Sequence, residues 1–122
     1  MTRGEEGTPS TLTYVKYIHI YEDMNMKQMQ KRAVEVSALL KSLSLPKRLL
    51  ILCQLVERER AVGELAATLE AREAAVSQQL SLLRKDGLVK TRRDGRTIYY
   101  SLAREDLKAL IGFLYITYCK KT

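Results

Sequence analysis

The chain has 122 residues, 46% of them hydrophobic, which suits one domain with a single modest core and is too little for two. No run approaches the ~20 apolar residues of a membrane helix. The first residues lack a basic stretch leading into an apolar one, so a cytoplasmic protein with no membrane partner is expected. The net charge of +7 is unevenly spread: residues 1–25 carry −2 and the remainder +9. Such a basic excess favours phosphate contacts and makes nucleic acid the first partner to consider.

Residues 1–10 are rich in Gly, Thr, Glu, Pro and Ser and show no periodicity. Residues 11–21, with Tyr14, Val15, Tyr17, Ile18 and Ile20, have the composition of a short strand but no hairpin partner nearby. Met24 and Met26 leave open a natural start further downstream. Residues 1–25 are therefore expected to be a disordered tail or a mis-assigned extension, and 26–122 the folded domain.

Over 27–43 the apolar residues Met29, Ala33, Val36, Leu39, Leu40 and Leu43 recur at helical spacing. Ser44 followed by Pro46 predicts an N-cap and an early helical proline, opening a second helix that carries Leu49, Leu50, Leu52, Cys53 and Val56. A short amphipathic helix over 62–69 and a longer one over about 72–85, closed by Asp86-Gly87, sit close enough to form a helix-turn-helix. Beyond Gly87 the period changes to that of strands over 88–93 and 97–102, and Asp94-Gly95 between them is a hairpin signal. A last helix opens at Arg104, Glu105 and Asp106 and carries Leu107, Leu110, Ile111, Leu114 and Tyr118 on one stripe. Phe113 and Tyr115 widen that stripe beyond what a small monomer buries, so a homodimer built on this helix is expected. The fold class is mostly α with a small β-hairpin, a winged helix-turn-helix of about five helices and a two-stranded wing.

A helix that enters the major groove needs short polar side chains that reach base edges, with cations where the domain passes the phosphates. Ser77, Gln78 and Gln79 meet the first demand, and Gln78 has the amide geometry to read adenine. Val76, Leu80 and Leu83 face inward by spacing. Arg84, Lys85, Lys90, Arg92, Arg93 and Arg96 stand against only Asp86 and Asp94, so residues 84–97 net +4 beside the reader. Arg92, Arg93 and Arg96 lie where a wing straddles the backbone or enters a narrow minor groove. The competing reading is a solvated, charged hairpin on a protein-interaction module.

The blocks PKRLLILCQL, AVGELA and AAVSQQLSLLRKDGLVKTRRDGRTIYYSL, in this order, resemble the ArsR/SmtB family of winged-helix repressors over about residues 28–120. The resemblance implies a homodimer through the first and last helices that binds an inverted-repeat operator on double-stranded DNA and is released by an inducer. Two departures stand out. Members commonly have SQHL where this chain has Ser77-Gln78-Gln79-Leu80, and a Ser-Gln pair where it has Arg72-Glu73. Glu73 suits a cytosine amino group rather than a purine acceptor, so the operator is expected to differ.

Metal sensors of the family carry a cysteine motif in the helix before the reader, or a histidine and carboxylate set on the last helix. Here the earlier helix reads Val62-Gly63-Glu64-Leu65 and the single histidine is His19 in the tail, so no metal site and no cofactor are expected. The two cysteines, Cys53 and Cys119, are far too few for a disulfide scaffold, and in a reducing compartment a bond between them would be a switch. Their placement in the second and last helices resembles the thiol-switch branch of the family. By that resemblance, a reactive sulfur species such as a persulfide, or another oxidant, is the inducer and joins Cys53 to Cys119. Read from the residues alone, Cys53 is equally a small core side chain and Cys119 incidental. A metal-responsive regulator and one without an inducer remain the alternatives. With neither a usable histidine nor a paired CxxC, the chain is not expected to be an enzyme.

Overall fold

A computed structural model describes residues 25–120, and the tail and strand expected within 1–24 lie outside them. The chain divides into two compact units after Ala38. In the first, helix α1 (Met26–Ser42) begins one residue ahead of the predicted start, behind an N-cap in which Asn25 Oδ1 accepts the Gln28 N–H at 2.8 Å. Arg32 and Glu35 pair along its surface at 3.0 Å, and Val34 is 72% exposed. No residue of α1 is buried.

The second unit holds the end of α1 and the remaining elements: α2 (Pro46–Glu57), β1 (Arg60–Ala61), α3 (Val62–Leu69), α4 (Glu73–Lys85), β2 (Val89–Asp94), β3 (Thr97–Leu102) and α5 (Glu105–Leu114). A π-helical turn (Tyr115–Cys119) continues α5 and is closed by the Lys120 N–H donating to the Tyr115 carbonyl at 2.9 Å. The winged helix-turn-helix is thus present, with five helices, and its wing is larger by one strand than expected. The order β1-β3-β2 places Arg60 opposite Tyr100 and Ala61 opposite Tyr99. Two residues are too few to show an alternating pattern, which is why this edge strand was not legible.

The core sits around α2, against which both α4 and α5 turn their apolar stripes. Ile51, Leu52 and Leu55 of α2 meet Leu65 of α3, Val76, Leu80 and Leu83 of α4, Leu88 and Val89 at the wing base, and Leu107 and Ile111 of α5. All of these are buried, whereas Leu50, expected in the core, is half exposed. Ser44 does not cap α2. Its hydroxyl donates back to the Lys41 carbonyl at 2.9 Å and so closes α1, leaving Leu45 in extended geometry as the N-cap ahead of Pro46.

The joint of the helix-turn-helix is a tight one. Glu70 takes the left-handed conformation (φ 53°, ψ 47°), and the Glu70 and Ala71 N–H groups return to the Ala67 and Ala66 carbonyls at 3.2 and 2.9 Å. The wing turns through Gly95 (φ 64°) and Arg96 between the facing residues Asp94 and Thr97, which is the pattern of a two-residue hairpin with positive φ at its first position. A side chain in the left-handed region costs about 1 kcal/mol that glycine avoids. Glu70→Gly is therefore expected to raise the stability by about 0.5–1 kcal/mol in urea unfolding, with an unchanged m-value.

Candidate nucleic-acid interface

With Val76, Leu80 and Leu83 anchored in the core, the helical repeat points Ala74, Gln78, Ser81 and Lys85 in the opposite direction, and all four are exposed. Gln78 thus stands at the centre of the outward stripe of α4. Ser81, three residues on, shares that stripe. It was absent from the candidates drawn from the sequence, although its spacing from Gln78 was the available signal. Ser77 lies half-buried on one flank of the helix and Gln79 half-buried on the other.

Gln79 faces α2. Its amide oxygen accepts from Arg48 Nε at 2.9 Å, and it lines a groove of about 470 Å³ between α2 and the helix-turn-helix, together with Lys47, Leu50, Arg72 and Val76. Arg72 is the N-cap of α4 in extended geometry, so the recognition helix starts one residue later than predicted. Glu73 follows in the first turn, where a carboxylate suits the helix dipole. Its Oε2 lies over α3: a methyl group on Gly63 would meet it at 3.4 Å.

The six cations from Arg84 to Arg96, at the end of α4 and along the wing, are not equivalent. Arg92 is held against Glu59 by two hydrogen bonds, Nε to Oε1 at 3.1 Å and Nη2 to Oε2 at 2.5 Å. Its guanidinium also lies 4.8 Å from the centre of the Tyr99 ring. The hydrogen bond from Arg92 pulls the Glu59 carboxyl below its ordinary range. Arg84, Lys85, Lys90, Arg93 and Arg96 are exposed and, among the described residues, form no ion pair.

The supporting loop before the helix-turn-helix is built of ion pairs as well. Glu64 Oε1 accepts the Ala61 N–H at 2.9 Å, capping α3, and its Oε2 takes Arg58 Nη2 at 2.9 Å. These partners, Arg58 first, hold the Glu64 carboxyl below its usual value. Arg60, 14% exposed, donates to the Gln54 carbonyl at 2.7 Å and pairs with Glu57 at 2.9 Å.

Cys53 lies on α2, which packs on α5, and Cys119 lies in the π-helical turn that continues α5. Cys53 is half-buried in a cleft of about 440 Å³ that it shares with Gln54, Val56, Glu57, Arg60 and Tyr115. Cys119 is exposed and ends the turn that Tyr115 begins. Burial pushes the Cys53 thiol up, and the neighbouring Cys119 raises it further once charged. No disulfide joins the two cysteines in this structure. Among the described residues, no group of three or more His, Cys, Asp or Glu side chains is placed to hold a metal ion, and no helix is long and apolar enough to cross a membrane.

Residues 46–91 match the family model for bacterial regulatory proteins of the arsR family. The chain is 42% identical over 97 residues to the transcriptional activator HlyU of Vibrio cholerae, a match covering 80% of this chain and 90% of that protein. It is 44% identical over 97 residues to the biofilm growth-associated repressor of Agrobacterium fabrum, covering 80% and 83% respectively. The solved structure of reduced HlyU from Vibrio cholerae is similar with a TM-score of 0.74 at 41% identity, over 78% of this chain and 100% of that one. The homodimeric winged helix-turn-helix DNA-binding domain Mb0332 from Mycobacterium bovis, a possible ArsR-family transcriptional regulator, is similar with a TM-score of 0.64 at 29% identity, over 78% and 87%.

The unequal settings of the two thiols set an order of reaction. Iodoacetamide at neutral pH is expected to alkylate Cys119 well before Cys53, because the thiolate is the nucleophile and Cys53 is both shielded and held protonated. Peptide mass spectrometry over a time course reads the order. The Cys53 rate should still be climbing above the pH at which an ordinary thiol has levelled off.

Proposed function

We propose that this chain, which belongs to the ArsR family of bacterial regulatory proteins and is a DNA-binding transcriptional regulator, reads its operator with the outward stripe of α4 and leaves it when its two cysteines are oxidised. The observation that carries the first half is the exposed polar stripe through Gln78, flanked by cations that form no ion pair among the described residues. Gln78 reads an adenine, Ser77 and Ser81 contact base edges or phosphates beside it, and Arg72 and Glu73 act at the helix entrance. Arg84, Arg93 and Arg96 take phosphates, and Arg92 joins them if Glu59 releases it.

A homodimer gives two such helices and matches an inverted-repeat site. Its support is the apolar surface left uncovered in each unit: Val34 and Val36 in the first, and Phe113, Ile116 and Tyr118 in the second, where Tyr118 is 77% exposed. Mb0332, described as homodimeric, has a similar fold.

The thiol reading is supported by Cys53 and Cys119 lying close enough to interact, Cys53 on α2, which packs on α5, and Cys119 at the end of the turn that continues α5. The Cys119 thiolate attacks the outer sulfur of a persulfide RSSH, forming Cys119–S–SH and releasing RS⁻. The Cys53 thiolate then attacks the inner sulfur and expels HS⁻, leaving a Cys53–Cys119 disulfide. Two thiols lose two electrons, and the persulfide is reduced to a thiol and hydrogen sulfide. Joining the helices biases the dimer against the spacing that two consecutive major grooves demand. A bias of ~2–3 kcal/mol lowers occupancy some tens to a hundredfold.

Two substitutions separate reading from attraction. Gln78→Ala should lose ~1–3 kcal/mol of discrimination at a single base pair of a duplex selected from a random pool. Arg96→Ala should weaken all duplexes about equally and lower the slope of log K against log salt by about 1. Fluorescence anisotropy across salt concentrations measures both. For the switch, persulfide treatment should release wild-type protein from that duplex and produce an intramolecular Cys53–Cys119 link by mass spectrometry. Release that persists in Cys53→Ser and Cys119→Ser would remove the thiols from the mechanism.

A further inference from the structure

Gln79 carries the residue type of a base reader but not the position of one. It faces α2, and its amide oxygen is already used by Arg48. The same guanidinium donates from Nη1 to the Ser42 carbonyl at 3.2 Å, so one planar group bridges the last residue of α1 and the middle of α4. Ser42 makes a second tie to the same helix: its hydroxyl donates to Asp86 Oδ2 at 3.1 Å, at the C-cap of α4. The end of α1 therefore grips α4 at two points a helix half-length apart, once through Arg48 and once directly. Both Arg48 bonds are partly shielded from water, and among the described residues Arg48 forms no ion pair that competes for it.

We infer that Arg48 and Gln79 are positioning residues for DNA recognition, which set the angle at which α4 presents Gln78 and Ser81, and that Gln79 itself does not read a base. The apolar stripe of Val76, Leu80 and Leu83 fixes which face of α4 points inward, but apolar packing is non-directional and tolerates small rotations about that contact. A hydrogen bond from a rigid guanidinium fork on one flank removes that freedom. Base contacts are directional, so a small error in roll is felt at every contacted position together, whereas the loss of a reader is felt at one.

The inference rests on α4 being the reader, and Gln78→Ala, which confines its loss to one base pair if that is so, tests that premise separately. The experiment is a double-mutant cycle of Arg48→Lys and Gln79→Ala on a duplex selected by the wild-type protein and on a scrambled one. Arg48→Lys keeps the charge for phosphates but cannot serve Ser42 and Gln79 from one planar group. Each variant is expected to weaken selected-duplex binding by about tenfold and scrambled binding by less than about twofold, with the loss spread over all contacted positions. The double variant is expected to lose no more than either single one. Arg48→Gln, expected to show the same pattern, stands in if Arg48→Lys does not fold by circular dichroism. A Gln79→Ala loss confined to one base pair, or losses that multiply to about a hundredfold in the double variant, would overturn the inference.

Discussion

The interface depends on one constraint: α4 must be held by one face while offering the other. Val76, Leu80 and Leu83 meet that constraint by burying against α2, α3 and the base of β2. Removing such side chains from water contributes roughly 1.5–3 kcal/mol each, which is enough to fix the inward face against rotation by a whole residue. The position of Gln78 then follows from the 3.6-residue repeat. The outward stripe is as much a product of three buried aliphatic residues as of its own polar ones.

Around that anchor the molecule uses ion pairs and hydrogen bonds mainly to set angles. Arg58–Glu64 and Arg60–Glu57 brace the segment entering α3, and Ser42–Asp86 and Arg48–Gln79 brace α4. An exposed ion pair such as Arg58–Glu64 adds little to stability, with a median near 0–1 kcal/mol. The value of these contacts lies in direction, since each ties a residue on one element to a specific atom of another. Cys53 stands on the same helix as Arg48, five residues further along α2. One rigid helix thus touches both the reader and the candidate switch.

Much of this was legible in the sequence. Helical spacing located α2 to α4 and the start of α5 to within about two residues, whereas α5 ends at Leu114 and a π-helical turn carries Tyr118; Asp94-Gly95 marked the wing, although the turn itself is Gly95-Arg96. The period-3.6 pattern also identified Val76, Leu80 and Leu83 as inward and Gln78 as outward. What sequence could not supply was the partner of each polar side chain. Gln79 is tied to a residue 31 positions away and Arg92 to one 33 positions away, and neither separation follows any local period. Ser44 shows the same limit at short range: a serine before Pro46 reads as an N-cap, yet its hydroxyl turned to the helix behind it. Strand β1 exists only because β3 offers it an edge, so no local signal announces it.

The fastening of Arg92 has a consequence for the freedom of the wing. Glu59 precedes the edge strand β1, and Arg92 lies midway along β2, so the pair clips the hairpin to the body of the domain across β3 while Tyr99 supports the guanidinium from below. A free hairpin would have to give up its swing on binding, a loss of conformational freedom that subtracts from affinity. A clipped one has given it up already. Arg93 and Arg96 are therefore carried on a hairpin whose middle is tied to the body of the domain, and the wing is a bracket instead of a loose arm.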